Sequence, residues 1–397
     1  MHQAIIDQLL PAFGERLGTQ FLAAYSVPPS ADGYFLSQRF ESSLLLFFSD
    51  DFPVHTAREV VNELGLNLQN ELEAPPFVFT PSSLKQHAVL FPLLAHHIMR
   101  RGTRLCGLSL PLDTTKAPHP VERLAFLISE SIAASAALVP EKSADHALPR
   151  LQRLASQLSN QSNSDAEPAA ELFARVQTYL RYIVDSLPQM SGHRLPVIES
   201  ADQPNLLAFY EDQERLLVVI PPLSANLLRR IDWSALAGPM PSSLTTLNVA
   251  TTDQLFLTIQ AQRPMDYLLG SYRRRWGAEL LDNLQVSARA VFRQAARKPS
   301  SLLVDGVWGA YLVAQGDEGI HRIIHDSQNR LLNIRLEKEL LCRLLHTPFS
   351  EPPEPLPRRD EPLSARIDAI VAHLKWWTTH YLEEMQQRPA EQKLSPL

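Results

Sequence analysis

Two short apolar runs, Leu44–Phe48 and Leu216–Ile220, set the frame of this chain, and both read as buried central strands. Around the first, His2–Leu17 carries Ile5, Ile6, Leu9, Leu10, Phe13 and Leu17 at helical spacing, with Pro11 as a point of kinking. Gln20–Val27 is β-like. Asp50 or Asp51 is placed to start a helix through Leu64, and Gly65 to stop it. Pro75-Pro76 introduces a strand, Phe77–Thr80, and Ser82 or Ser83 is the expected cap of the next helix, which runs towards Arg100. Strands alternating with helices predict an α/β (α+β) domain.

The same order recurs. A helix over Leu172–Leu187 matches the opening one, and Leu195–Glu199 is the expected counterpart of Gln20–Val27, with Leu206–Tyr210 as an extra hairpin arm. Leu216–Ile220 is followed by a helix over Leu223–Leu236, a strand over Leu247–Ala250 with Thr251-Thr252-Asp253 as cap, and a helix running into Arg273–Gly277. Helical patterns fill 119–187, broken by the polar stretch Ser156–Asp165, and again 283–347. Ser350–Pro362 is a stiff proline-rich tether. After it, with Ser364 as expected cap, Ala365–Gln387 presents Ile367, Ile370, Val371, Leu374, Trp377, Tyr381 and Met385 on one face. Trp376-Trp377 suggests docking onto another domain or subunit, or packing back on the same chain.

The predicted organisation is therefore a first α/β domain over 1–112, a helical appendage and linker over 113–170, and a second α/β domain over 171–282. A second appendage follows over 283–348, and the tether with its amphipathic helix occupies 349–397.

Composition narrows the function classes. The chain has 397 residues, enough for two or three cores, and 45% of them are apolar. A net charge of −6 gives no global attraction to nucleic acid or anionic membrane. The N-terminus lacks a basic flank and a continuous apolar core, and no run approaches the roughly 20 residues of a membrane span. With only two cysteines, Cys106 and Cys342, the chain suits a reducing compartment, so a cytoplasmic protein is expected. There are 14 Gly and 31 Pro, and neither G-x-x-x-x-G-K-[ST] nor G-x-G-x-x-G occurs, so P-loop and Rossmann sites lack their main signal.

With a strand, a helix, a second strand and then Arg100-Arg101-Gly102-Thr103-Arg104-Leu105, where a helix turns at Gly102 into a last strand, the chain resembles the minimal nucleotidyltransferase superfamily over residues 1–112. The resemblance extends more faintly over 172–282. It implies two mixed-sheet domains, each with a helical appendage. In that family a strand ends in a Gly-Ser pair that holds the nucleotide phosphates. The next strand carries two acids at alternate positions, which share one face and so hold Mg²⁺ together. A third carboxylate is the base. Carried over, Tyr25-Ser26 stands for Gly-Ser, the acidic pair falls on Glu41 and Ser43, and no acid lies in Phe77–Thr80. The resemblance thus places any nucleotide-binding role on Ser26, Glu41 and Ser43.

In the second copy Glu199-Ser200 stands for Gly-Ser, and the acidic pair falls on Gln213 and Arg215, where an arginine repels a cation. Gly270-Ser271 is the one literal Gly-Ser, expected inside a helix. At most one acid per pair is too few to neutralise a polyphosphate with metal ions. The implied protein is a non-catalytic binding or assembly module with no metal or other cofactor, whose partner contact or self-association would use the C-terminal helix. The alternative is an active Mg-dependent nucleotidyltransferase acting on a small molecule or protein, with a nucleoside triphosphate as donor and Ser26, Glu41 and Asp50 or Asp51 around the metal.

Two other patterns carry candidate chemistry. Arg100, Arg101 and Arg104, and Arg273, Arg274 and Arg275 beside Trp276, could bind phosphate or nucleic acid, or could be a last helical turn complementing the helix dipole. His321 and His325 lie at i and i+4, as do Cys342 and His346, a spacing expected one helix later and able to make a His₃Cys zinc site, although such histidines are more often ordinary amphipathic residues. His96 and His97 are adjacent and face different directions.

Overall fold

The computed structural model describes residues 3–28, 43–52, 54–66, 68, 75–109, 120–139, 146–159, 167–186, 206–212, 215–237, 246–353, 355–356, 358, 360–389 and 391–395. It is a mixed α and β protein with two four-stranded mixed sheets. No described helix is long and apolar enough to cross a membrane.

In the N-terminal segment, α1 (Gln3–Leu17) runs through Pro11 and leads into β1 (Phe21–Val27) and β2 (Ser43–Phe48). Then come α2 (Val54–Glu63), β3 (Phe77–Phe79), α3 (Pro81–Leu90), α4 (Pro92–Arg101) and β4 (Thr103–Gly107). The strand order is β3-β2-β1-β4, with β2 parallel to β3 and β1 antiparallel to both of its neighbours. Leu45, Phe47, Tyr25 and Val27 point to one face, where they meet Leu84, Leu94 and Ile98 of α3 and α4. On the other face Phe13 of α1 meets Phe48 edge-on, with ring centroids 5.7 Å apart.

Next come α5 (Pro120–Ala134), a 3₁₀ turn (Ser135–Leu138), α6 (Ala147–Ser159) and α7 (Ala169–Ser186). The second sheet is built from β5 (Ala208–Asp212), β6 (Arg215–Ile220), β7 (Thr246–Thr251) and β8 (Tyr272–Gly277), with α8 (Thr252–Ala261) and α9 (Pro264–Leu268) between the last two. Its order, β7-β6-β5-β8, and its strand directions repeat those of the first sheet. After β9 (Val286–Ser287), α10 (Ala288–Ser301) passes through a π-helical segment (Leu302–Trp308) into α11 (Gly309–Val313). Pro299 lies in α10 just before that widening, where it lacks the N–H of the normal ladder. The chain ends with α12 (Gly316–Leu345), α13 (Leu363–Gln387) and β10 (Lys393–Leu394), which pairs with β9.

The chain divides into two compact units. One joins the described residues before 110 to Phe292–Pro389, and the other joins residues 120–291 to 391–395. In the first unit, α13 buries Ile367, Ile370, Leu374, Trp377, Tyr381 and Met385, and it packs on α12, α3 and the π-helical segment. The apolar face seen in the sequence is therefore covered by its own chain. In the second unit, α5 to α7 form one core with Leu216, Val218, Leu247 and Val249.

Several local expectations need correction. The cap of α3 is Thr80 and not Ser82 or Ser83, with Ser83 as its partner in a reciprocal capping box, whereas the cap expected before α8 is borne out, Thr251 closing the same kind of box with Gln254. Ser364 lies inside α13 and does not cap it. Asp50 does not start α2; it accepts hydrogen bonds from the Ser82 N–H (3.0 Å) and Oγ (2.8 Å) at the start of α3. Leu206–Tyr210 is no extra arm: β5 pairs with β6 and β8 as β1 pairs with β2 and β4, and Leu195–Glu199 lies outside the described residues. Leu223–Leu236 forms only two short helices, Ala225–Leu228 and Trp233–Ala237. Arg273–Gly277 is strand, and Gly270 takes φ 74° in the turn before it, not a helical conformation.

Candidate site at the open end of the sheets

The position implied by the nucleotidyltransferase resemblance is the end of the sheet where β1 leaves and β2 enters. Val27 pairs with Ser43, and Ser26 pairs with Leu44. Directly opposed residues share a face and successive residues alternate. Ser43 therefore issues from the α3/α4 face and Ser26 from the α1/α2 face. The structure brings the two serines to adjacent strands but not to one ligand. Glu41 lies outside the described residues.

Strand register supplies a residue-by-residue comparison with the second sheet. Ala23 opposes Gly107 and Ala208 opposes Gly277; Tyr25 opposes Arg104 and Tyr210 opposes Arg274. Tyr25-Ser26 thus corresponds to Tyr210-Glu211, which replaces Glu199-Ser200 as the match; residues 199 and 200 lie outside the described residues. Ser43 corresponds to Arg215, whose partner in the strand register is residue 212 as that of Ser43 is Val27. The two connections differ in length, residues 28–42 joining β1 to β2 and residues 213 and 214 joining β5 to β6. Arg275 forms an ion pair with the Glu211 carboxylate, and Arg215 is exposed.

What recurs in both sheets is backbone architecture. Tyr25 donates its hydroxyl to the Leu108 carbonyl at 3.1 Å, and Tyr210 donates to that of Ala278 at 3.4 Å. Both follow a register shift in the pairing with the last strand. Gly107 has φ 80° and Gly277 φ 89°, and a Cβ at either would overlap the carbonyl oxygen of Leu22 or Leu207. The Tyr that stands in the glycine position of the family pattern thus anchors the end of β4. Sequence reasoning missed this role, although the shared Arg-x-x-Gly of Arg104–Gly107 and Arg274–Gly277 was a usable signal.

The remaining candidates separate. Asp50 is held below the usual carboxylate range. Burial works against this, but hydrogen bonds from Thr80 and Ser82 and the Lys375 charge outweigh it. It anchors the start of α3 and does not face the open end. Arg100 and Arg101 do lie in the last turn of α4, where cations complement the helix dipole. Arg273, Arg274 and Arg275 instead lie exposed on edge strand β8, where charge opposes edge-to-edge pairing. Arg274 is paired with Glu279, and Trp276 is half-exposed beside Phe209 at 5.6 Å.

His321, His325 and Cys342 belong to one continuous helix, α12, and His346 is its left-handed C-cap, so there is no second helix to bring the pairs together. From His325 to Cys342 the helix advances by about 25 Å. His325 contacts Asn329, and Cys342 Sγ donates to the Pro348 carbonyl. Among the described residues no group of three or more His, Cys, Asp or Glu is arranged to hold a metal ion. His97 is buried and its Nε2 meets the Pro28 carbonyl at 3.0 Å.

The polar groups that do converge lie under α10 to α13 in the first unit. Arg58 donates to the Tyr311 carbonyl (2.8 Å) and lies over its ring. His55 bridges the Tyr311 hydroxyl (2.8 Å) and the Asp368 carboxylate (3.0 Å). His87, buried on α3, shares a hydrogen bond with Ser300 of α10, and burial together with the Arg297 charge pushes its pKa down to about 3. Such groups fasten helices, and both members of the His87–Ser300 pair are buried. The chain matches no protein-family model, no curated protein and no solved structure.

Proposed function

We propose that this chain is a non-catalytic nucleotidyltransferase-like protein of the cytoplasm, with two related sheets serving as a binding or assembly platform. The observation that carries the reading is the register at the open ends. In one sheet the two serines leave from opposite faces, and in the other the corresponding positions hold an arginine-paired Glu211 and the cation Arg215. Nucleotidyl transfer needs several carboxylates on one face to hold divalent metal against a triphosphate. A cation at such a position repels that metal by the same Coulomb term that would otherwise bind it. The residues kept in both sheets, Tyr25 and Tyr210 with Gly107 and Gly277, serve the backbone.

On this reading any nucleotide held by Ser26, Glu41 and Ser43 is bound weakly and is not turned over. The test is transfer of label from α-phosphate-labelled ATP, GTP, CTP and UTP with Mg²⁺ or Mn²⁺, to the chain itself and to a cell extract. The expected result is no labelled product. Label transferred by the wild type and lost in Glu41→Ala would replace this reading with a working transferase.

A further inference from the structure

We propose that the two halves of the chain, divided between Ser159 and Glu167, have exchanged their helical sets, so that each half is the folding partner of the other. Each half contains an opening helix, a four-stranded sheet and then a run of helices. Among the described residues, the run of each half belongs to the compact unit that holds the sheet of the other half, α5 and α6 with the second sheet and residues from Phe292 on with the first. The inference concerns assembly of the chain and does not depend on the functional reading above.

The contacts are equivalent at both places. In the second sheet the covering elements are α5 and its 3₁₀ turn, from the first half. Leu124, Leu127 and Ile128 share a core with Leu247 and Val249 of β7. Ser135 Oγ accepts the Val249 N–H at 2.6 Å, and buried Gln177, held by Ser131, receives Gln254 of α8.

In the first sheet the covering elements are α10, the π-helical segment and α11, from the second half. Val304 shares a core with Phe47 and Phe79, Ser300 meets His87, and Arg297 donates to the Leu90 carbonyl at 2.9 Å. Gly309 lies so close to Pro76 that a Cβ would overlap its carbonyl oxygen. On both sides, then, the first helical run after the fourth strand covers the third strand and the capped helix of the opposite half. Polar side chains buried at each seam make the pairing selective, since a buried polar group left unmatched loses its hydrogen bond to water without gaining another.

The test uses the whole folded chain with a protease recognition sequence inserted between residues 160 and 166. After cleavage under native conditions, the two pieces are expected to remain one particle of the intact mass by native mass spectrometry and to part only in denaturant. Separation in native buffer into two independently folded pieces would overturn the proposal. If the insertion prevents folding, Gly309→Leu in the uninterrupted chain serves instead, read by amide hydrogen exchange. Protection is then expected to fall together in β1–β4 and in α10–α13, while β5–β8 keep theirs. Loss confined to residues 302–313 would contradict it.

Discussion

His87 and Ser300 lie 213 positions apart and share a 2.8 Å hydrogen bond with both side chains buried. The bond ties α3 of the first sheet to α10, and it makes the first unit sensitive to acid. Burial, reinforced by the Arg297 charge, lowers the His87 pKa to about 3 from an ordinary 6.5. Below pH 6.5 the unfolded chain therefore takes up a proton that the folded chain refuses. Stability is full above that pH and falls as pH drops towards 3, by up to about 1.4 kcal/mol per pH unit.

Asp305 of the π-helical segment opposes this. The residue is exposed, so solvent moderates the effect, but desolvation of its carboxyl pushes the pKa up towards about 6 from 3.8, against a hydrogen bond from Ser301. Between pH 6 and 3.8 the folded chain holds the proton and the unfolded chain does not, so acidification there stabilises. Asp305→Asn removes that compensation. Urea midpoints measured from pH 6 to 4 are predicted to fall more steeply in Asp305→Asn than in the wild type. Parallel curves would show that Asp305 does not titrate as described.

Gly107 and Gly277 are predicted to be far less replaceable than Gly18. All three have positive φ, but only the first two face a backbone carbonyl at the point where a Cβ would stand. Gly18→Ala should cost about 1 kcal/mol, and Gly107→Ala or Gly277→Ala at least about twice that, because backbone must shift as well. Equilibrium urea unfolding of the three variants measures the difference.

Lys338 is buried between the Phe292 and Tyr381 rings, 5.2 and 5.4 Å from their centroids, with its ammonium 3.7 Å from the Glu384 carboxylate. Burial lowers its pKa despite that carboxylate. Arg388 also pairs with Glu384, at 2.6 Å, so removing the lysine leaves no orphaned charge. Lys338→Met is expected to change stability by less than about 1 kcal/mol, because the desolvation cost disappears with the ion pair. Arg388→Met in the same background should cost more, about 1–2 kcal/mol, because the partly buried Glu384 carboxylate then loses both of its cationic partners. Thermal unfolding of the single and double variants checks both.

The apolar runs Leu44–Phe48 and Leu216–Ile220 announced the central strands because both faces of each are buried, and burial on both faces writes itself into sequence as a continuous run. The helices over 119–187 and the face of α13 were legible for the same reason, through spacing. Arg273–Gly277 was misread because an edge strand carries charge on both faces and leaves no alternating signal. β5 was displaced because its register is fixed by Tyr210 and Gly277 across the sheet, not by local pattern. The exchange of helical sets left no trace in spacing at all. It rests on contacts such as His87–Ser300 and Arg58–Tyr311, which join residues more than half the chain apart.

The most direct measurement of the central claim is calorimetric titration of the intact chain with ATP and with GTP, each with and without Mg²⁺. The account predicts either no heat of binding or weak binding that is indifferent to the metal. Metal-dependent binding that disappears in Glu41→Ala would contradict it, because a site able to hold Mg²⁺ against a triphosphate would then exist at the open end of the first sheet.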